Sequence, residues 1–445
     1  MRRLPQSRCA TDHRRIHCRD DIVAVFLAAA ARLKGPQEEQ ILAHQLVIAG
    51  AGHAAGQVAA SLRQKGFAGG IVLAGEEPWL PYQRPPLSKK FLAGELPPER
   101  LYFKPPDFYA SAGIDVRLET RIAAVDRERQ YVTTAAGGHI PYDTLVLATG
   151  SRVRRIRVPG SDLDGLHYLR GIDDVSRIRT DLASARKVVI IGAGYIGLEV
   201  AAVMRQLGHD VCVVEMADRV MNRVVSPVVS GFFQAEHAAH GVHLILSTAL
   251  EAIEGDTEVR AIRTNGGHSI PADIVIAGIG IVPNTELAAS AGLELDNGIV
   301  VDAHCRTAVP NVYAVGDCTS HPNGIYGRRI RLESVHNALE QAKTAAANIC
   351  GEAIEYSQVP WFWSDQYDLK LQIAGLSEGY DEVVIRGEPA TRAFSCLYLR
   401  DGILIACDAV NAPRDFVQSK ALIAARRRIA PDRLADAAVQ LKDLA

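Results

Sequence analysis

The chain has no C-x-x-C pair. Its eight cysteines, Cys9, Cys18, Cys212, Cys305, Cys318, Cys350, Cys396 and Cys407, lie scattered over 445 residues, with the spacing of neither a zinc cluster nor a redox dithiol. That excludes a disulfide-stapled scaffold, argues against a metal site and suits a reducing, cytoplasmic setting. A strong net field is missing too. The formal charge is -2, so nothing in the balance points to nucleic acid or an anionic membrane. Long apolar runs are also absent. The nearest approach, "IVAVFLAAAARL" at 22–33, falls short of the roughly 20 residues a membrane span needs. What is left is an ordinary globular balance, 48% hydrophobic and 22% charged, in a chain long enough for two or three domains.

The first stretch, "MRRLPQSRCATDHRRIHCRDD", is basic and, with the apolar run behind it, imitates a targeting segment. Asp12, Asp20 and Asp21 spoil that pattern, and "GPQEEQ" follows where a small-residue cleavage site would stand. Residues 1–42 are therefore expected to be a disordered or weakly helical extension, outside the fold.

What is present is a repeat. "LVIAGAGHAAGQVAASLRQKGFAGGIVLAGEE" at 46–77 is echoed by "VVIIGAGYIGLEVAAVMRQLGHDVCVVE" at 188–215. Each reads as strand, glycine turn, helix, strand and terminal acid, the order of a dinucleotide-binding unit. In the first, Gly50 lets the chain turn off the strand and Gly52 lets the backbone approach a pyrophosphate. Ala55 takes the small position where helix meets strand, and Glu76 is placed to accept from a ribose hydroxyl. The diphosphate would sit over the helix N-terminus, at about Ala54. In the second, Gly192, Gly194 and Gly197 repeat the pattern in full and Glu215 closes the second strand. An acid there binds a free ribose diol and repels a 2′-phosphate. With Arg219 and Arg223 only further on, NADH is favoured over NADPH.

Only the first unit is followed by a proline-rich segment, "PWLPYQRPPLSK", carrying Arg84 and Lys89. Proline at this density predicts a stiff, extended wall suited to a large fixed ring. Lys89 near the redox end of an isoalloxazine would stabilise its reduced, anionic form; alternatively it is a solvated loop lysine. "YDTLVLATGS" ends a strand at Thr149 and Gly150, and "NVYAVGDCTS" ends another at Asp317, placed to bond a ribityl hydroxyl.

The series "GAGHAA", "LPYQRPPLSK", "LVLATG", "VVIIGAGYIGLEVAA", "GIGIVPN", "VYAVGDC", "RLESVHNALEQA" and "PWFWSDQY" resembles the FAD-dependent pyridine nucleotide-disulfide oxidoreductase superfamily. Within it the match is to ferredoxin reductases of oxygenase systems, the putidaredoxin-reductase type. The resemblance runs from about residue 43 to the C-terminus. It implies an α/β fold of two Rossmann-like domains, the NAD domain (161–284) inserted in the FAD domain (43–160 and 285–357), plus a smaller α/β C-terminal domain (358–445). It also implies FAD contacts at Ala54, Glu76, Lys89, Ile122, Arg170, Asp317 and Val335.

Gly280, in "GIGIVPN", is a natural close-approach point for a nicotinamide. Glu333 is a candidate anchor for its carboxamide, and His336 departs from the family pattern without an evident role. Trp361 and Trp363 open the C-terminal domain; by periodicity they read as core, and with the resemblance Trp363 reads as a flavin neighbour. The tail, 421–445, reads as helix, proline break, helix.

Two nucleotides in one chain suit hydride transfer from NADH to FAD. No cysteine pair stands on either unit, and "GEEPWLPY" lacks the single cysteine of peroxidase-type relatives. Electrons are therefore expected to leave singly for an external carrier, which the resemblance implies is a small acidic [2Fe–2S] ferredoxin serving an oxygenase. Lys104, Arg328, Arg329, Arg331, Lys343 and Lys370 are candidates for a basic docking rim. The alternatives are an NADH oxidase or rubredoxin reductase on the same scaffold, and a redox-signalling flavoprotein of the apoptosis-inducing-factor type.

Overall fold

The computed structural model describes residues 44–444; the expected extension at 1–42 lies outside them. Two five-stranded sheets repeat one plan. In the first, the order is Val312–Ala314, Thr144–Leu147, Gln45–Ala49, Gly70–Ala74, Ile114–Arg117, all parallel. In the second it is His243–Ile245, Asp210–Val214, Lys187–Ile191, Ile274–Ala277, Leu166–Tyr168, again all parallel. Central strands such as "TLVL" and "IVIA" are buried at every position, the continuous apolar run that helices on both faces require.

Each glycine loop leaves the central strand of its sheet and enters a helix, α1 (His53–Gln64) in the first and α2 (Tyr195–Gln206) in the second. Ligands in open parallel sheets bind beyond the carboxyl ends of the strands, where strand order reverses. Both loops stand at that point. In the second unit, α3 (Pro227–Ala239) follows. The chain passes from the first sheet to the second and back through an antiparallel pair, Ser151–Val153 with Ile281–Pro283. Helix α4 (Val335–Ile349) then packs on α1, its alanines Ala338, Ala342, Ala345 and Ala346 buried beside Ala55, Val58 and Ala59.

The last unit is a wholly antiparallel five-stranded sheet in the order Trp361–Gln366, Leu369–Gly375, Ile403–Val410, Ala393–Arg400, Glu382–Glu388. The tail only partly follows the expected pattern. A helix at Pro413–Ala425 ends where Arg426 turns left-handed, and the second helix is short, Pro431–Ala435. Among the described residues no helix is long and apolar enough to cross a membrane.

Candidate active site

The first glycine loop divides its work between protein and ligand. Gly50 has φ +125°, and a Cβ there would lie 2.2 Å from the Ala148 carbonyl oxygen, so the fold itself requires glycine. Gly52 caps α1, and a Cβ on it would meet no protein atom within 4 Å. Nothing in the protein needs that position small, and the open space points to a ligand lying against the backbone. Ala55 is fully buried in the α1 packing and faces no ligand space, so its smallness serves helix–strand contact alone.

A cavity of about 1050 Å³ opens in front of this loop, at the upper end of ordinary ligand pockets, roughly 300–1,000 Å³. Gly50, Gly52, Ala54 and Glu76 line its first-unit side; Arg84, Lys89 and Ile122 line its middle. Thr149, Gly150, Arg170 and Asp317 follow, with Glu333, Val335 and Trp363 beyond them. No cysteine lines it. Cys318, next to Asp317, is wholly buried, its Sγ 3.4 Å from the Val315 carbonyl, and burial pushes its thiol pKa up.

The proline-rich segment differs from expectation. Pro85–Ser88 forms a 3-10 turn instead of extended chain, because two successive prolines preset the φ of its first turn. The turn aims two side chains in different ways. The Arg84 guanidinium donates to Glu77 Oε1 (2.5 Å) and to the Arg170 carbonyl (2.6 Å). Arg170 donates to Ser151 Oγ (2.8 Å), lies 3.5 Å from Asp317 Oδ2, and keeps a buried Nε without an acceptor. Burial, and then the Arg84 charge, lowers the Arg170 pKa. Arg84 and Arg170 thus bring two guanidinium groups to the wall of one cavity, where an anion would balance them. His53, at the first turn of α1, is held neutral, its pKa lowered to about 4 by burial and by Arg84.

Lys89 is not a solvated loop lysine. Its Nζ donates to Glu199 Oε2 at 2.6 Å, and Glu199 is 3% exposed. The same carboxylate accepts from Ser88 Oγ (2.5 Å) and Ser364 Oγ (2.6 Å). Glu199 was not singled out from the sequence, although an acid inside the apolar helix "YIGLEVAAVM" is a visible anomaly. It joins the proline-rich turn, α2 and the first strand of the last sheet.

Gly192, Gly194, Gly197, Glu215 and Gly280 do not line this cavity. They gather at the second sheet's own switch point. A Cβ at Gly192 would lie 2.6 Å from the Gly278 carbonyl and one at Gly197 2.0 Å from the Gly192 carbonyl, whereas one at Gly194 would meet nothing within 4 Å, the same division as in the first loop. Gly280 has φ +94° and accepts from Arg154 N. Glu215 accepts from Ala193 N (2.6 Å) and Ala217 N (2.9 Å). Arg219 donates to the carbonyls of Val225 and Asn222, so its guanidinium is committed to its own loop.

Thr149 clasps the return strand: its hydroxyl donates to the Asn284 carbonyl at 2.7 Å, and Asn284 Nδ2 donates back to the Thr149 carbonyl at 2.9 Å. Glu333 pairs with Arg331 at 2.6 Å while lining the cavity. Trp361 packs between His336 and Trp363, tilted to both, with centroids 5.3 and 5.5 Å away, and Lys420 lies over its ring. Most of the candidate rim cations have partners within the chain. Arg328 pairs with Glu378, Lys343 with Glu340 and Lys370 with Asp365, while Arg329 holds the carbonyls of Val301 and Ser320.

The open space at Gly52, the orphaned Arg170 donor and Asp317 at the end of its strand fit an extended dinucleotide with a central diphosphate. The family model "Pyridine nucleotide-disulphide oxidoreductase" matches residues 44–342, and "Reductase C-terminal" matches 361–445. The 5,5'-dehydrodivanillate O-demethylase ferredoxin reductase subunit of Sphingobium sp. is 46% identical over 89% of this chain and 97% of its own. Among solved structures, the ferredoxin reductase for the CYP199A2 system from Rhodopseudomonas palustris superposes with a TM-score of 0.88 at 41% identity, covering 90% of this chain and 100% of that one. The covalent putidaredoxin reductase–putidaredoxin complex gives 0.88 at 42%, covering 91% and 98%.

Proposed function

Since the chain belongs to the pyridine nucleotide-disulphide oxidoreductase family, whose members use FAD and a nicotinamide dinucleotide, we propose that it is an NADH-dependent ferredoxin reductase. The observation that carries this reading is a single cavity, lined by no cysteine, into which both dinucleotide units and the last sheet send side chains. A bound flavin supplies two-electron acceptance from a nicotinamide and release of electrons one at a time. The chain supplies the rest. Gly52 and the α1 N-terminus seat the diphosphate against backbone N–H groups, and Arg84 with Arg170 balances its charge. Asp317 takes the ribityl hydroxyls, Glu76 the adenosine ribose, and Ile122, Val335 and the Ala148–Gly150 turn close on the ring. Lys89 sets positive charge where reduction adds negative charge. Gly280 and Glu333 guide the nicotinamide end from the second unit, and Trp363 covers the mouth from which electrons leave. We place the domain limits at 43–160 with 285–357, 161–284 and 358–445, a division supported by the two-stranded crossing at 151–153 and 281–283.

The carrier is a small acidic [2Fe–2S] ferredoxin, a reading supported by the solved relative that is cross-linked to putidaredoxin. Anaerobic stopped-flow with NADH should bleach the yellow protein rapidly, and a [2Fe–2S] ferredoxin should restore the colour within the same range of rates. Discharge to oxygen or rubredoxin but to no ferredoxin would sink the reading in favour of an oxidase or rubredoxin reductase. A persistent long-wavelength band with negligible turnover would favour a signalling flavoprotein.

NADH preference rests on Glu215 at the end of its strand and on the committed guanidinium of Arg219. Glu215→Gln removes the charge that repels a 2′-phosphate and gives up one of the two backbone N–H bonds that the carboxylate accepts. The ratio of kcat/KM for NADH to that for NADPH should fall by about tenfold, nearly all of it through improved NADPH use. An unchanged ratio would remove Glu215 from the discrimination.

A further inference from the structure

The Glu199 carboxylate is the end of a hydrogen-bonded chain that runs between the last sheet and the second unit. Ser364 Oγ lies 2.6 Å from Glu199 Oε1, Gln366 Nε2 lies 3.1 Å from Ser364 Oγ, and Gln366 Oε1 lies 2.8 Å from His237 Nε2. His237 Nδ1 lies 3.2 Å from the Tyr367 hydroxyl. Ser364, Gln366 and His237 are each no more than 1% exposed. Ser364 and Gln366 stand on the strand that brings Phe362 and Trp363 to the cavity, and His237 stands on α3 of the second unit.

One charge fixes the direction of every bond. An ionised carboxylate only accepts, so Ser364 must donate to Glu199 and therefore accept from the amide of Gln366. Gln366 Oε1 then accepts from His237 Nε2–H, which leaves Nδ1 bare to accept from Tyr367. Burial lowers the His237 pKa to about 4, in keeping with that neutral tautomer. All the bond dipoles point their positive ends toward Glu199. The far end is held against strain. Tyr367 sits in the hairpin at φ +56°, a left-handed conformation that strains a bulky residue. Its ring stacks on His240 with centroids 3.7 Å apart.

We infer that Ser364, Gln366 and His237 are positioning residues for the Glu199–Lys89 pair. The chain holds one carboxylate oxygen on Ser364, leaves the other to Ser88 and Lys89, and so keeps the ammonium turned to the redox cavity. Without the chain, the freed oxygen turns onto Lys89 and draws its charge away from the ring. The inference rests on the flavin reading above, and the reduction potential of the bound flavin, measured by dye equilibration, tests it. Wild-type protein that binds no flavin would instead count against that reading.

Ser364→Ala should shift the oxidised-to-reduced equilibrium about tenfold toward the oxidised form, near 30 mV for a two-electron couple. Gln366→Met and His237→Phe fill their sites without donors and should shift it about threefold in the same direction. Ser364→Thr keeps the hydroxyl and should stay within twofold of wild type. The inference is overturned if Gln366→Met leaves the potential at the wild-type value, whatever Ser364→Ala does, or if Ser364→Thr shifts it as far as Ser364→Ala.

Discussion

Lys89→Met should slow reduction of the protein by NADH by about 100-fold while leaving the yellow colour in place. The ammonium is 2.6 Å from Glu199 and 18% exposed, on the proline-rich turn that lines the cavity. A unit charge about 4 Å from a developing opposite charge is worth about 4 kcal/mol at an effective dielectric of 20. Screening by the solvent that reaches an 18% exposed side chain brings the expectation down to roughly 3 kcal/mol, or about 100-fold. The substitution has a second consequence that must be separated from the first. Glu199 is 3% exposed, and removing one member of a buried pair typically destabilises by about 3–5 kcal/mol. The double variant Lys89→Met with Glu199→Gln relieves the stranded carboxylate, so it should recover most of the stability and little of the rate. If rate and stability recovered together, Lys89 would be a structural partner of Glu199 and nothing more.

The pair also shows where sequence reading stops. Gly50 and Gly192 were legible because a local turn demands a positive φ, and Gly52 and Gly194 because the loop pattern that contains them is short and ordered. The strand-end residues Thr149, Gly150 and Asp317 follow from the rule that ligands gather beyond the carboxyl ends of parallel strands. Glu199 could not be reached this way. Its partners Ser88, Lys89 and Ser364 lie 111, 110 and 165 residues from it, and no local propensity connects them. The partners of the candidate rim cations were hidden for the same reason. Arg328 reads as a free cation until Glu378, 50 residues on, is seen beside it. The antiparallel order of the last sheet escaped as well, since alternation within a strand says nothing about which strand it pairs with. Local rules carried the backbone of the site, and long-range pairing decided its charges.

Asp408→Asn should make the protein more stable at alkaline pH and leave it nearly unchanged in acid. Asp408 is 0% exposed in the middle of the last sheet. One oxygen accepts from the Tyr398 hydroxyl; the other, Oδ1, is buried with no partner. The Tyr398 oxygen in turn accepts from Ser226 N at the start of α3, at 3.0 Å, so the carboxyl sits where the last sheet meets the second unit. Burial pushes its pKa up to about 7 against an ordinary value of 3.8, with the Tyr398 bond pulling the other way. Below the ordinary value both folded and unfolded chains carry the proton and Asp408 contributes no pH dependence. As pH rises from there, the unfolded chain ionises while the folded one does not, and stability is lost until the folded group ionises too, near pH 7. Asparagine has no such term. The difference in urea-unfolding free energy between variant and wild type should therefore grow by about 3 kcal/mol from pH 5 to pH 8.5, at about 1.4 kcal/mol per pH unit up to the folded pKa, and be flat above it. Because the variant differs from wild type at one group, every other titration cancels in that difference. A gap that stays constant from pH 5 to pH 8.5 would mean that Asp408 is already ionised in the folded chain, its charge balanced across the junction by the Tyr398–Ser226 bonds.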